Sequence, residues 1–260
     1  MLKDVLRIIE YKEMLKNNVR KELRARYKGS ILGFFWTFLN PLLQLVVYSI
    51  VFSTVIRVSV PSYNYTLFLF VGLVPWNFLS ASVQQSTTVI TSNSNLIKKI
   101  YFPRIILPLT ITMTNLINML LTFVIVFIAL FISQSYVNVW YVYLPAIIFI
   151  ETVFVFSITL FVSSLTVYFR DLEHIVGIVL MAWTYLSPVL YPSEYIPSKA
   201  LGIFKMNPMF SIIESYRDVL LFNRQPDTFG LLYVLMLSFM LLVVGYVVFE
   251  KLQRRFAEEI

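Results

Sequence analysis

The sequence predicts an all-α integral membrane protein, and three observations carry that prediction: its composition, its uncharged tracts and the placement of its charges. Of its 260 residues, 58% are hydrophobic and 13% are charged, with a mean hydropathy of +0.78. Soluble domains carry about 25% charged residues. Residues 58–97 and 105–150 contain no charge at all, and apolar runs of about 18 residues or more are candidate transmembrane helices.

The charged residues and motifs exclude several other classes of protein. The net charge is +7, but no basic run is interleaved with aromatic residues as in nucleic-acid-binding segments. Zero cysteines exclude disulfides and thiolate metal sites. The phosphate-binding pattern GxxxxGK[ST] is absent from the sequence, so ATP is not expected to bind to this chain.

Residues 1–28 predict an amphipathic helix on the inner membrane surface. Residues 2–28 carry nine Lys and Arg against four Asp and Glu, and their apolar residues recur at helical spacing. A basic amphipathic helix beside a membrane span is expected to lie in the plane of the interface. The N-terminus is therefore expected in the cytoplasm.

Six spans result when polar turns and charged loops are placed between the uncharged tracts. With the N-terminus inside, sixteen of the 21 Lys and Arg fall on inner segments, in keeping with the excess of basic residues on cytoplasmic loops. Both termini are then cytoplasmic. The predicted spans cover residues 30–56, 66–92, 105–132, 140–169, 175–191 and 228–249.

Residues 93–104, NSNLIKKIYFPR, predict a short cytoplasmic hairpin between the second and third spans. Helical spacing places its apolar side chains on one face of about two turns, beside Asn95, Lys98 and Lys99. A loop that carries such side chains into water is expected either to dock against a partner protein or to rest on lipid headgroups. The apolar residues are Leu96, Ile97, Ile100 and Tyr101.

Residues 192–226 differ from an ordinary outer loop because they are rich in apolar side chains, although no uncharged stretch among them reaches spanning length. Pro197 and Pro208 divide the segment. Irregular backbone at membrane depth must be shielded by protein. We therefore expect two short re-entrant helices that enter from the outer face.

Acidic residues leave two further chemistries open. Glu151 lies inside the fourth predicted span, where a carboxylate indicates either a structural partner or a proton-coupled cycle. Carboxylates near the outer helices could instead form a glycan-modifying site, although they show neither a DxD motif nor a paired spacing. These residues are Glu194, Glu214, Asp218 and Asp227.

Five stretches spread along the chain carry a resemblance to a known family. They are RYKGSILGFFWTFLNPLL, LIKKIYFPRIILP, YFRDLEHI, SPVLYP and NPMFSIIESYRDVL. Together they resemble the ABC-2 exporter permeases, and most closely the branch that exports O-antigen, teichoic acid, capsule and related polymers. The resemblance implies a homodimer of six-helix subunits, each bound to a separate ATPase subunit that holds the ATP and Mg²⁺. It also implies roles for three segments: residues 1–28 as an interface helix, 93–104 as a coupling helix for the ATPase, and 192–226 as an outer gate.

A lipid-linked glycan, the substrate that the resemblance implies, would need binding residues where the interface helix meets the first span. Its phosphate is expected to meet Arg24, Arg26 and Tyr27, unless these residues are anchors for ordinary anionic lipids. Sugar rings stack on aromatic faces, so aromatic residues of the first and fifth spans are expected to line its path, unless they only pack helices together. They are Phe34, Trp36, Trp183, Tyr185 and Tyr191.

The expected function is therefore that of a permease subunit, not an enzyme, in an ATP-driven polysaccharide exporter of a bacterial cytoplasmic membrane. One alternative is an ABC-2 exporter of drugs or lipids. An alternative of another class is a membrane-embedded, glycan-modifying enzyme.

Overall fold

A computed structural model describes residues 10–25, 29, 32–51, 64–132 and 138–260, and within these ranges the chain forms helices and short 3-10 turns without a β-strand. The helices are, in chain order, α1 (Lys12–Ala25), α2 (Trp36–Ser49), α3 (Tyr65–Ser86), α4 (Val89–Ser92), α5 (Ser94–Lys99), α6 (Ile106–Ile132), α7 (Leu144–Leu165), α8 (Leu172–Tyr185), α9 (Ser198–Lys205), α10 (Pro208–Leu220), α11 (Thr228–Leu252) and α12 (Phe256–Glu259). The predicted all-α class is confirmed for this part of the chain.

Four helices among the described residues are long and apolar enough to cross a membrane. They correspond to the predicted spans 66–92, 105–132, 140–169 and 228–249. They are Tyr65–Ser86, Ile106–Ile132, Val139–Leu165 and Thr228–Glu259.

Two further apolar helices, α2 and α8, have 14 residues each. At 1.5 Å per residue each extends about 21 Å, less than the roughly 30 Å of bilayer hydrocarbon. The predicted first span includes residues 30–31 and 52–56, which lie outside the described ranges. α8 ends at Tyr185 rather than at residue 191, and Pro188 follows closely, where proline disfavours continued helix. The count of six spans stays a prediction.

The central helix of the bundle is α3. It packs against α2, α6, α7, α8 and α10. Of the residues in an apolar 18-residue stretch of α3, 72% are buried, compared with 22% in the corresponding stretch of Thr228–Glu259. A helix that is apolar on all sides suits such a position. The outward side chains of α11 are correspondingly left for lipid or a partner.

Helices α7 and α11 form the most extensive pair in the bundle. Gly245 permits their close approach, because a Cβ atom there would lie 3.0 Å from the Ser157 carbonyl oxygen. Small residues at helix contacts allow backbones to approach in this way inside membranes.

The described part of the predicted interface helix is α1, which packs against α6 and buries Val19. The rest of the predicted segment, residues 1–9 and 26–28, lies outside the described ranges, and Arg26 and Tyr27 lie with it. Arg24 is exposed in the last turn of α1.

Candidate functional site

The hairpin of residues 93–104 contains one short helix, α5, followed by extended chain. The helix ends at Lys99, and Ile100 has the extended backbone angles φ −130° and ψ 134°. Helical spacing therefore does not continue through the segment, and the four predicted apolar side chains do not share one face. Ile97 is buried, whereas Ile100 is 54% and Tyr101 87% exposed.

Ile97 belongs to an apolar cluster that fixes the hairpin to its own subunit. The cluster joins α4 and the hairpin to the inner ends of α6, α7 and α11 and to the C-terminal residues. The prediction that Ile97 belongs to an outward docking face is thus wrong, because its side chain is used in packing. The fully or nearly fully buried aromatic members are Phe102, Phe249 and Phe256.

Polar contacts also tie the hairpin to residues 252–260. The Lys98 ammonium group donates to the backbone oxygen of Ile260 at 2.5 Å. The Arg104 guanidinium donates to the Gln253 carbonyl oxygen and lies 5.9 Å from the centroid of the Phe256 ring. Lys98 is therefore engaged within this subunit, while Asn95 and Lys99 are exposed.

The second inner loop supports the same structure. The Tyr168 hydroxyl donates to the Leu252 carbonyl oxygen at 2.8 Å. The hairpin consequently rests on both α7 and α11, the most extensively packed pair in the bundle.

A cavity of about 480 Å³ opens where the start of α1, the hairpin and the inner end of α11 meet. Tyr11, Ile100, Tyr101, Tyr246 and Arg254 are among its lining residues. Aromatic and Arg side chains are those enriched at the centres of protein interfaces. The exposed half of the hairpin therefore borders a recess suited to a protruding side chain of a partner.

At the other end of the bundle, residues 192–226 form a 3-10 turn (Ser193–Tyr195) and the helices α9 and α10. Asn207 caps α10, since its side-chain oxygen accepts from the Met209 amide. The same oxygen accepts from Trp183 Nε1 at 2.9 Å, and the side-chain nitrogen donates to the Leu186 carbonyl oxygen at 3.0 Å. The outer segment is thereby fixed to the end of α8.

Arg217 of α10 is fully buried. Its guanidinium donates to the carbonyl oxygens of Pro188 (2.5 Å) and Val189 (2.9 Å) and to Glu214 Oε1 (3.0 Å). It also lies 3.6 Å from the centroid of the Phe68 ring, a cation–π contact.

The neighbouring helix α3 makes room for this guanidinium at Gly72. A Cβ atom at that position would lie 2.6 Å from an Arg217 nitrogen and 3.2 Å from the Val189 carbonyl oxygen. Arg217 therefore joins α10, the chain after α8, and α3 through a single side chain.

The intramembrane carboxylate Glu151 has a partner in the same subunit. The Tyr216 hydroxyl donates to Glu151 Oε2 at 2.7 Å, and both residues are fully buried. Tyr216 and Arg217 are adjacent in α10. One turn of this helix therefore makes a hydrogen bond to α7 on one side and a cation–π contact with α3 on the other. The structural alternative for Glu151 thus has a defined partner within the chain.

The carboxylates considered for an enzymatic site are not arranged as a general acid–base pair. Glu214 pairs with Arg217, and Asp218 pairs with Arg224 at 2.6 Å. Glu214 also accepts from Ser193. Among the described residues there is no group of His, Cys, Asp and Glu side chains that could hold a metal ion.

The predicted aromatic residues are divided between two places. Trp183 packs edge-on against Trp76 and Phe154 in the core, and the Tyr191 hydroxyl donates to the carbonyl oxygen of Tyr185. Trp36 instead lines a cavity between α2, α3 and α6. The Phe34 side chain lies outside what the structure describes, and Tyr185 is 64% exposed.

Sequence reasoning missed Arg217, Tyr216 and Asn207 as organising residues. A signal was present, because Arg217 lies three residues after Glu214 in a segment that otherwise reads as apolar. Oppositely charged residues at that spacing are neighbours on a helix. The contact of Arg217 with the Phe68 ring, however, joins residues far apart in the chain.

Comparison with known proteins gives consistent matches along the chain. The family model described as ABC-2 type transporter matches residues 13–221. The O-antigen export system permease protein RfbA of Myxococcus xanthus is 36% identical over 263 residues, covering 100% of both chains. A protein of the same name from Klebsiella pneumoniae is 37% identical over 242 residues, covering 92% of this chain and 91% of its own. The polysialic acid transport protein KpsM of Escherichia coli is 22% identical over 240 residues, covering 88% and 90%.

The Arg217 contacts predict that Arg217→Lys destabilises the outer segment. A lysine keeps the charge but cannot supply the planar fork of donors that reaches two carbonyl oxygens and Glu214. We expect a loss of about 2 kcal/mol or more in unfolding free energy, since uncompensated buried charges cost about 3–5 kcal/mol. Thermal unfolding in detergent measures it.

Arg224→Lys is the matched control, because the side chain of Arg224 is 61% exposed in its pair with Asp218. Exposed pairs contribute about 0–1 kcal/mol.

A cysteine replacing the buried Ile212 should react with an impermeant maleimide faster in the Arg217→Lys background than in the parent. Equal unfolding temperatures for the two lysine variants would contradict the role given to Arg217.

Proposed function

Because the chain belongs to the ABC-2 type transporter family, we propose that it is the membrane permease subunit of an ATP-driven exporter of a cell-surface polysaccharide. The observation that carries the proposal is the similarity, over the whole of both chains, to an O-antigen export system permease protein. The four apolar helices of spanning length agree with a multi-pass membrane subunit.

The substrate that we propose is a lipid-linked glycan such as O-antigen or teichoic acid, moved outward across a bacterial cytoplasmic membrane. The names of the relatives refer to O-antigen export and to polysialic acid transport. Both termini of the chain would lie in the cytoplasm, as the distribution of basic residues indicates.

Two ATPase subunits and a second copy of this chain complete the proposed exporter. The sequence has no phosphate-binding loop, so ATP and Mg²⁺ would be held by the partner. One chain offers one hairpin, and two ATPase subunits require two. The outward residues Leu43, Val46 and Val47 of α2 are about half exposed, which leaves apolar area for the second copy.

Complementation and native mass measurement test the function together. The chain is expressed with the ABC ATPase of its own exporter in a strain that lacks both, and surface glycan is measured with an anti-glycan serum. We expect surface glycan to be restored and the purified complex to contain two permeases and two ATPases. Assembly without restored glycan, in cells that make the polymer, would contradict the substrate class.

We place ATPase docking on the exposed part of the hairpin. Ile100 and Tyr101 project outward at the rim of the cavity of about 480 Å³, next to Lys99. Buried apolar anchors supply most of the free energy of an interface, whereas rim charges chiefly affect the association rate. Leu96 and Ile97 then support the hairpin from inside the permease.

The double variant Ile100→Ala/Tyr101→Ala should therefore lose ATPase binding or uncouple ATP hydrolysis from export. Its own unfolding temperature should stay near that of the parent, because exposed positions usually change stability by less than about 0.5 kcal/mol. Copurification of the ATPase and glycan-dependent ATP hydrolysis are the measurements.

Two single variants are the controls for this experiment. Lys99→Ala removes a rim charge and should leave coupling nearly unchanged. Ile97→Ala removes a buried side chain and should cost about 2–5 kcal/mol of stability. The docking assignment fails if Lys99→Ala impairs coupling as much as the Ile100/Tyr101 pair does.

Recognition of the lipid-linked phosphate is proposed for Arg24, Arg26 and Tyr27 at the junction between α1 and the first span. Arg24 is exposed in the last turn of α1. Guanidinium groups bind phosphate oxygens through two parallel donors, which an ammonium group does not reproduce. Aromatic side chains near the path, including Trp36 and Tyr185, are proposed to contact sugar rings.

The double variant Arg24→Lys/Arg26→Lys separates phosphate recognition from membrane anchoring. It keeps the positive charge that directs topology, so membrane insertion and ATPase copurification should remain normal. Export and the stimulation of ATP hydrolysis by purified lipid-linked glycan should fall by roughly tenfold if two bidentate contacts weaken. Export at the parental rate would leave these residues as lipid anchors.

A further inference from the structure

A polar cleft lies between α2, α3 and α6, at the level of the membrane interior. Its cavity has a volume of about 190 Å³. Asn77 and Asn118 lie near the middle of α3 and of α6, so the cleft is at mid-membrane depth. Five carboxamide side chains line it: Asn40, Gln44, Asn77, Asn115 and Asn118.

The polar residues recur with the same spacing on two of the helices. Positions separated by three and seven residues lie on one face of a helix. Each of α2 and α6 therefore turns one polar stripe toward the cleft. The stripes are Thr37, Asn40 and Gln44 on α2, and Asn115, Asn118 and Thr122 on α6.

Three of the five carboxamides are held in place by hydrogen bonds. Asn77 Nδ2 donates to Gln44 Oε1 at 2.9 Å. Asn115 Nδ2 donates to Gln85 Oε1 at 3.2 Å. These bonds fix the orientation of the lining side chains. An amide group that has made one hydrogen bond can still donate or accept another.

Asn118 differs from these three carboxamides. Both polar atoms of its side chain are buried, and neither has a hydrogen-bond partner in the part of the chain that the structure describes. Leaving a buried polar group unpaired costs about 1–3 kcal/mol, and polar groups inside a membrane commonly mark function. An unpaired amide beside a polar cavity indicates that something with hydrogen-bonding groups occupies it.

The lining also restricts the chemistry of that occupant. None of the described residues that line the cavity is charged, so none of them would compensate an anion or cation for its lost hydration. An acyl chain would leave Asn118 unpaired. Carboxamides offer both donors and acceptors, as hydroxyl groups do, and Trp36 adds an aromatic face at the same cavity.

A neighbouring cavity of about 290 Å³ continues the polar lining. It shares Gln44 and Asn77 with the first and extends to Ser80, Gln84 and Thr184. The Asn77–Gln44 hydrogen bond lies on the boundary between the two spaces. Together they give hydroxyl-binding groups on α2, α3, α6 and α8.

We propose that the carboxamide cleft between α2, α3 and α6 is a binding site for hydroxyl groups of the exported glycan during its passage, an inference that rests on the proposed function. Neutral hydrogen bonds hold a polymer less firmly than ionic contacts. Each bond can pass from one hydroxyl to the next as the chain advances. Asn118 is satisfied when a sugar hydroxyl lies in the cleft.

Asn118→Leu tests this site, because structural and binding roles predict different outcomes. Removing an unpaired buried amide should leave the unfolding temperature unchanged or raised. The rate at which surface glycan appears after induction should nevertheless fall about fivefold, the effect of one neutral hydrogen bond. Asn118→Gln should recover part of that rate.

Thr112→Val is the matched control on the same helix. Thr112 shares a buried hydrogen bond with Thr159 at 3.1 Å and does not line the cleft. It should lower the unfolding temperature and leave the export rate per assembled complex at the parental value. Export at the parental rate by Asn118→Leu would overturn the proposal and leave the cleft as a water site. A loss of export that is explained entirely by a lower amount of assembled complex would overturn it as well.

Photocrosslinking gives a readout that does not depend on the export rate. Asn118→p-benzoylphenylalanine, irradiated in cells that make the polymer, should yield permease bands that react with the anti-glycan serum, whereas Thr112→p-benzoylphenylalanine should not. Equal labelling at both positions, or none at Asn118, would overturn the assignment. If the unmodified chain fails to restore export at all, the proposed function fails instead, and the two failures are distinguishable.

Discussion

The outer half of this subunit depends on the burial of one guanidinium group. Arg217 is removed from solvent and stabilised by Glu214, two carbonyl oxygens and the Phe68 ring. A buried charge is stabilised when an opposite charge is close and its donors are hydrogen-bonded, and both terminal nitrogens of Arg217 are hydrogen-bonded here. Every partner therefore has to remain in place together, which makes α3, α10 and the chain after α8 a single mechanical unit. Glu151 and Tyr216 extend this unit to α7.

The inner end is organised by a different kind of interaction. There the hairpin is held chiefly by an apolar cluster, and its polar contacts run to backbone oxygens near the C-terminus. Both ends pack against α7 and α11, because the cluster at the hairpin includes Leu160 and Phe249, while α10 contacts both helices and its Tyr216 donates to Glu151 of α7. Tightly packed helices move as units rather than deform continuously. The hairpin and residues 192–226 are thus both packed against this helix pair.

Much of this organisation could be predicted from the sequence, because membrane thickness and charge placement dictate it. The four long spans and the hairpin between α4 and α6 follow from uncharged length and flanking basic residues. The orientation of individual side chains did not follow. Spacing placed Ile97 and Tyr101 on one face, but the helix ends between them, so one is buried and the other 87% exposed. The partners of Glu151 and Arg217 come from helices distant in the chain, and local spacing carries no information about them.

The placement of charge within the bundle is consistent with a path for a hydroxyl-rich polymer. Charged side chains in the interior occur where they are paired, as Arg217 is with Glu214, or hydrogen-bonded, as Glu151 is to Tyr216. The surfaces that α2, α3 and α6 turn toward one another carry carboxamides and hydroxyls instead. A fixed charge there would hold a polar group of the polymer firmly, whereas amides exchange one hydroxyl partner for another at small cost. The strong electrostatic interactions of the fold thus lie at the helix contacts of Arg217 and Glu151, and weak, replaceable hydrogen bonds lie along the cleft.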